Sequence, residues 1–250
     1  MALVVVGLVV VIGVLGALGL AAVLAVRGAT SDSQSIDVAS PTTVELVPDD
    51  PTGDPASPPT GDTQVVATEV GFSMGEGFDG EQAANAGAVI ENNGSTTAAF
   101  FEVVFTFTDD AGATVGTETS YVYAVDPGGT VHASVDAVSL QGPATAVDAA
   151  VVLEEDPSFW TGTVVPVEVS GVAVDEFFGL QVNGTASNPT GAPIQAATVQ
   201  CVIRENGKIV GGASAVLDTI VAGGEVSWEA ITFSDWLRGD SAECSGGTYD

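Results

Sequence analysis

The sequence predicts an all-β protein made of two tandem antiparallel β-sandwiches, and three observations lead to this prediction. Many short segments alternate apolar and polar residues with a period of two, which is typical of strands that bury one face. Turn residues, glycine above all, separate these segments. The pattern then recurs about 95 residues later, so the two sandwiches form an internal repeat.

An apolar segment near the N-terminus, Ala2 to Val26, predicts one transmembrane helix. It contains 25 residues and no charged side chain. A helix of that length rises roughly 37 Å and can cross a hydrocarbon core of about 30 Å. A cleaved signal peptide is the alternative, although its apolar core usually spans only about 7 to 15 residues. Arg27 alone favours a cytoplasmic location for the rest of the chain, whereas the stalk and the cysteines favour the opposite side.

Residues 28–63 predict a disordered stalk that extends from the anchor, which takes up residues 1–27. Six of the twelve prolines and seven acidic residues fall in this stretch, which has no aromatic residue. Such a segment cannot bury enough apolar surface to offset the entropy lost on ordering. Proline and self-repelling charge should keep it extended.

The internal repeat defines the remaining organisation. Asn92 aligns with Asn188 at an offset of 96, and the turn glycines Gly112 and Gly207 align at an offset of 95, as do Gly116 and Gly211. The predicted domains are a first sandwich over 64–153, an acidic and aromatic linker over 154–163, and a second sandwich over 164–250. The predicted strands cover 64–73, 86–91, 101–107, 117–125, 130–138 and 145–153 in the first sandwich, and 165–174, 180–187, 197–203, 208–217, 225–233 and 241–248 in the second.

The charge of the chain limits its partners. Thirty-three acidic residues stand against four basic ones, which gives a formal net charge of -29. A surface this negative repels nucleic acid and anionic lipid head groups. The membrane contact is therefore expected through Ala2 to Val26 only, and any other partner should be an extracytoplasmic protein or a glycan. Adaptation to high salt and divalent cation binding both explain the acidity.

The two cysteines, Cys201 and Cys244, predict one disulfide in an oxidising compartment. The repeat aligns Cys201 with Phe105 and Cys244 with Ala149. We therefore expect the bridge to replace a large and a small core residue of the first sandwich. Two buried free thiols are the alternative.

One short motif resembles a known family. The run Phe105 to Asp109, followed by Ala111 and Gly112, is similar to the strand and turn that give FxLYD domains their name. Phe107 stands for the leucine, and Thr108 departs from the tyrosine. In the second copy Cys201 to Glu205 keeps only the apolar spacing and the acid. This resemblance implies Ig-like β-sandwiches of a prokaryotic membrane-anchored surface protein, and it carries no catalytic residues.

Catalytic motifs are absent from the sequence, so we expect a protein that is not an enzyme. The single histidine, His132, lies in a strand pattern and is predicted to face solvent. Ser134 shares its strand face, but no nucleophile elbow or phosphate-binding loop accompanies the pair. No cofactor is expected other than calcium.

Acidic residues near the predicted linker are candidate calcium ligands, because Ca²⁺ prefers several converging carboxylate oxygens. A solvated linker is the alternative interpretation. The candidates are Glu154, Glu155, Asp156, Asp175 and Glu176.

Two further features concern the surface. Asn93 and Asn183 begin glycosylation acceptor motifs. The aromatic pairs at 159–160 and 177–178 are expected to pack the two sandwiches together, with an exposed binding patch as the alternative.

These predictions favour a non-enzymatic cell-surface protein, held by a single transmembrane helix, that binds or spaces something outside the cytoplasm. A pilin-like filament subunit is the alternative function. The proline-rich stalk argues against it, because pilin heads usually join their helix directly.

Overall fold

The computed structural model describes residues 64–77, 79–153, 162–175 and 179–249, and this part of the chain is all-β. It contains antiparallel strands and no helix within those ranges, so none of the described segments could cross a bilayer as a helix. The predicted anchor and stalk lie outside the described residues. The strands are β1 (Val65–Glu76), β2 (Gln82–Asn92), β3 (Ala98–Thr108), β4 (Thr114–Val125), β5 (Thr130–Ser139), β6 (Ala146–Leu153), β7 (Gly162–Val165), β8 (Val167–Asp175), β9 (Gly179–Ser187), β10 (Ile194–Glu205), β11 (Lys208–Ile220), β12 (Glu225–Ile231) and β13 (Ser241–Tyr249).

Strands β1 to β6, here called the first half, form two sheets with a hydrophobic core between them. One sheet has the order β1-β2-β5 and the other β4-β3-β6. In β3 the residues Phe101, Val103, Phe105 and Phe107 are fully buried, while those between them are half-buried. Successive side chains of a strand point to opposite faces. The alternation in the sequence therefore puts these four residues in the core of the first half.

Strands β7 to β13, here called the second half, repeat this arrangement. The sheets have the orders β12-β9-β8 and β11-β10-β13-β7, so each strand of the first half has a counterpart and β7 is added at one edge. Leu180, Val182, Cys201 and Trp228 belong to the core between these sheets.

The predicted strand over 165–174 is divided at Pro166. Only its first residue, Val165, belongs to β7, which pairs with β13, whereas β8 pairs with β9 in the other sheet. Proline has no N–H to donate to a ladder. Its carbonyl oxygen accepts a hydrogen bond from the Ser187 N–H at 3.0 Å, so the chain passes from one sheet to the other at this residue.

Buried asparagines mark the same position in both halves. Asn92 Nδ2 donates to the Val125 carbonyl at 3.0 Å, and Asn188 Nδ2 donates to the Ile220 carbonyl at 2.9 Å. Both side chains are almost inaccessible to solvent, so each amide satisfies backbone groups that cannot reach water. The sequence alignment of the two asparagines agrees with this geometry.

The cysteines also lie at equivalent positions. Cys201 and Cys244 are paired across β10 and β13 at disulfide distance, with their Cα atoms 4.1 Å apart. Phe105 and Ala149 are paired in the same way across β3 and β6. The predicted equivalence of these two pairs agrees with the strand register.

The hairpin turns use positive φ where the sequence predicts it. Asn206 and Gly207 have φ of 52° and 77°, and Gly112 has φ of 79°, a region in which glycine and asparagine are favoured. The other aligned glycines, Gly116 and Gly211, are not in turns. They lie inside β4 and β11, where neighbouring side chains leave no room for a Cβ.

Candidate functional site

The outer face of the β1-β2-β5 sheet packs against the outer face of the β11-β10-β13-β7 sheet, and we call this contact the junction. Val89 of β2 forms an apolar cluster there with Val202 and Ile209 of the second half. The core covers the other face of β2. Every residue of β2 over 83–90 is consequently buried.

Glycines let the two sheets approach closely at the junction. A Cβ on Gly71 would overlap the Ile209 backbone, and a Cβ on Gly212 would overlap the Ser134 Cβ. At Gly87 the backbone of β11 occupies the same space. The junction therefore depends on residues without side chains in both halves.

Hydrogen bonds pair several buried polar groups of the junction. Asn85 Nδ2 donates to the Gly212 carbonyl at 3.0 Å, and the Gly212 N–H donates to Asn85 Oδ1 at 2.6 Å. Ser134 Oγ lies 2.6 Å from Gln200 Oε1, while Gln200 Nε2 donates to Ser120 Oγ at 3.1 Å. Paired in this way, the amides avoid the cost of an unsatisfied buried polar group.

Asp136 of β5 binds the loop between β12 and β13. Its carboxylate accepts hydrogen bonds from the Phe233 N–H, the Ser234 hydroxyl and Asn85 Nδ2, the last at 2.7 Å. A carboxylate accepting several bonds can hold a loop in one position. The loop thereby attaches the second half to the first.

Arg204 of β10 forms two ion pairs, one that joins the halves and one within the second half. Its guanidinium contacts both carboxylate oxygens of Glu69 in β1, at 2.7 and 2.9 Å, and its Nε lies 2.9 Å from Glu243 Oε1 in β13. The hydrogen bond from Arg204 holds the pKa of Glu69 below its usual value. The same bonds, those to Glu69 first, raise the pKa of Arg204.

His132 lies in the junction, and the prediction that it faces solvent is wrong. Its side chain is only 8% exposed because the second half covers the outer face of β5. Burial lowers its pKa to about 4, with the Glu243 carboxylate, 3.8 Å from Nε2, acting in the opposite direction. The imidazole is therefore neutral at pH 7, and its buried Nδ1 has no hydrogen-bond partner among the described residues.

Little space adjoins the His132 ring. A cavity of about 10 Å³ adjoins the ring, lined also by Tyr121, Gln200 and Ser245, and it has room for about one water molecule. Ser134 Oγ is bonded to Gln200 and to a backbone carbonyl. Within the described ranges, no hydrogen bond joins this hydroxyl to His132.

The outer face of the β4-β3-β6 sheet, which we call the aromatic face, exposes Tyr121 and Val152 to solvent. It presents Phe100, Tyr121 and Tyr123, with Glu102 and Val152 in the same sheet. The rings of Phe100 and Tyr121 are stacked, with centroids 5.7 Å apart and planes 15° apart. Phe100 has φ of 44°, a region that non-glycine residues seldom adopt.

The calcium candidates cannot be assembled from the described residues. Glu154, Glu155, Asp156 and Glu176 lie outside them, and Asp175 is the last residue of β8. Elsewhere in the described ranges, no group of three or more acidic, histidine or cysteine side chains could hold a metal ion. Calcium binding by these five residues stays a prediction.

The two asparagines of the predicted glycosylation motifs differ in their exposure to solvent. Asn93 is exposed in the loop after β2, whereas Asn183 is half-buried in the middle of β9. The aromatic pairs at 159–160 and 177–178 lie outside the described residues. Packing of the two sandwiches by these aromatic pairs stays a prediction.

The junction was not predicted from the sequence, although one signal for it is present. Ala83 to Ile90 lacks the period-two alternation of the other strands. Apart from Asn85, this stretch consists of small and apolar residues, a composition typical of a strand that is covered on both faces.

A comparison with protein-family models found no match, and neither did a comparison with curated proteins.

Proposed function

We propose that this chain is a non-enzymatic, membrane-tethered surface protein. In this proposal Ala2 to Val26 is the anchor, residues 28–63 are the stalk, and two FxLYD-like, Ig-like sandwiches form a head that binds or spaces a partner. The observation that carries the proposal is the junction. It joins the two halves through paired polar groups and an ion pair, which suits a head that presents its outer faces in one fixed arrangement.

The cysteine pair supports a location outside the cytoplasm. Cys201 and Cys244 lie at disulfide distance, and disulfides persist mainly in oxidising compartments.

Labelling of intact cells tests the location. Lys208 is the only lysine of the chain, and it is exposed in the β10–β11 hairpin. A membrane-impermeant amine reagent should label the full chain on intact cells, and Lys208→Arg should abolish the label. Labelling that requires lysed cells would contradict the proposal.

Fractionation tests the anchor. The full chain should stay in the membrane fraction after a high-salt wash, whereas a chain without residues 2–26 should not. Release of both chains by the wash would contradict a transmembrane attachment.

A further inference from the structure

The aromatic face forms rows across three strands. Glu102 of β3 is paired with Tyr121 of β4 on one side and with Val152 of β6 on the other. Tyr121 is 42% exposed and Val152 is 47% exposed. In the next row Val104 lies beside the exposed Ala150. Apolar and aromatic surface of this kind, gathered on one sheet face, is typical of an interaction site.

The counterpart of this face in the second half is already an interface. Its sheet, β11-β10-β13-β7, packs against the first half at the junction. Gly247, which aligns with Val152, is buried there, and Gln200, which aligns with Val104, is bonded across the junction. The aromatic face also borders that interface, because Gln200 Nε2 donates to the Tyr121 carbonyl at 3.2 Å.

Charge determines what the aromatic face can accept. The first half contains no lysine or arginine, and Glu102 lies between Tyr121 and Val152 in the same row. Asp148 is exposed two rows away. An anionic partner is repelled, whereas a guanidinium can stack on a tyrosine ring and bond to a neighbouring carboxylate.

We propose that the aromatic face binds an arginine-bearing segment of a protein partner, with Tyr121 as the stacking surface and Glu102 as the carboxylate that receives the guanidinium. Val104 and Val152 would contact the apolar parts of the same segment. This proposal rests on the proposed function, because it assumes that the head is presented to other proteins.

A peptide titration tests the proposal. The probe is a fluorescein-labelled ten-residue peptide of alternating arginine and serine, titrated with the full chain in a non-ionic detergent and followed by fluorescence anisotropy. We expect Tyr121→Ala and Glu102→Gln each to raise the Kd about two- to fivefold, the range for exposed cation–π and ion-pair contacts. Tyr121→Phe keeps the ring and should bind like the parent chain.

The matched control is Glu229→Gln. Glu229 is exposed on the outer face of the β12-β9-β8 sheet, so its replacement changes the net charge as Glu102→Gln does. If Glu102→Gln and Glu229→Gln lost affinity equally, the peptide would be bound by the overall negative charge of the chain, and the proposal would be overturned. An unchanged Kd for Tyr121→Ala would also overturn it.

A saccharide is the competing occupant. If a neutral glucose oligosaccharide displaced the peptide from the parent chain, and bound more weakly to Tyr121→Ala, the face would be a saccharide platform and the proposal would be wrong. The titration uses purified chain, so its failure is independent of the labelling and fractionation results on location.

Discussion

Replacement of His132 should remove a pH dependence of stability between pH 7.5 and pH 5. The folded chain holds this histidine with a pKa of about 4, against an unperturbed value of 6.5. The unfolded state therefore binds more protons than the folded state in this window. The contribution of neutral His132 to the free energy of unfolding is complete above pH 6.5 and is lost as the pH falls towards 4. From these two values, the free energy of unfolding should drop by about 2 kcal/mol between pH 7.5 and pH 5.

Urea unfolding of the full chain in a non-ionic detergent measures this loss, with tryptophan fluorescence as the signal. The glutamine of His132→Gln cannot titrate, so the decrease in the free energy of unfolding from pH 7.5 to pH 5 should be about 2 kcal/mol smaller in this variant. A change in stability that is the same at both pH values does not affect this difference. The window from pH 7.5 to pH 5 lies above the pH range in which the Glu69 carboxylate, whose pKa is lowered, loses its contribution to folding stability on acidification. Ser227→His places a histidine at the equivalent exposed position of β12 and should leave the drop unchanged. Equal drops in the parent chain and in His132→Gln would refute the reasoning.

Three further predictions concern packing and covalent links. Reduction of the Cys201–Cys244 pair, which are 43 residues apart, should lower the free energy of unfolding by about 4 kcal/mol in the chain-entropy model, measured by urea unfolding with and without reductant; no change in the midpoint would contradict it. Asn188→Ala should cost about 2 kcal/mol, because a buried carbonyl loses its donor; a thermal midpoint like that of the parent chain would count against this role. Gly71→Ala should cost about 1–3 kcal/mol by overpacking the junction, whereas Gly171→Ala, at the equivalent position with nothing nearby, should be neutral; similar midpoints for the two variants would exclude close packing as the cause.

The strands and the repeat could be predicted from the sequence because they depend on local patterns. The alternation around Phe105 places side chains on one face whatever the rest of the chain does. The alignment of Cys201 with Phe105 then followed from turn residues at matching spacings. Pro166 also carried a local signal, since a proline inside a strand pattern indicates an edge or a break.

The junction could not be predicted in the same way. It depends on which two sheet faces meet, and that choice is made by residues far apart in sequence, such as Asn85 and Gly212, 127 residues apart. A strand pattern shows that His132 and Val131 point to opposite faces. It does not show that a second sheet covers the face of His132.

The junction is formed by non-equivalent sheet faces of the two halves. This affects whether further copies of the chain could associate through the same kind of contact. The counterparts of the two junction faces are the outer faces of the β12-β9-β8 and β4-β3-β6 sheets, which do not meet each other among the described residues. If second copies of the chain added through these faces, an open filament would form. The side chains oppose this. Asn183 stands at the position of Gly87, which must lack a side chain for the sheets to approach.

The apolar cluster of the junction also has no equivalent on the outer faces of the β12-β9-β8 and β4-β3-β6 sheets. Thr185 replaces Val89, and Thr106 replaces Val202, so a repeated junction would bring hydroxyls together where the chain has a buried apolar cluster. Leaving such hydroxyls unpaired in a dry interface is costly. Stacking of heads by copies of the junction is therefore disfavoured, and a pilin-like assembly of this chain would have to be held by other contacts.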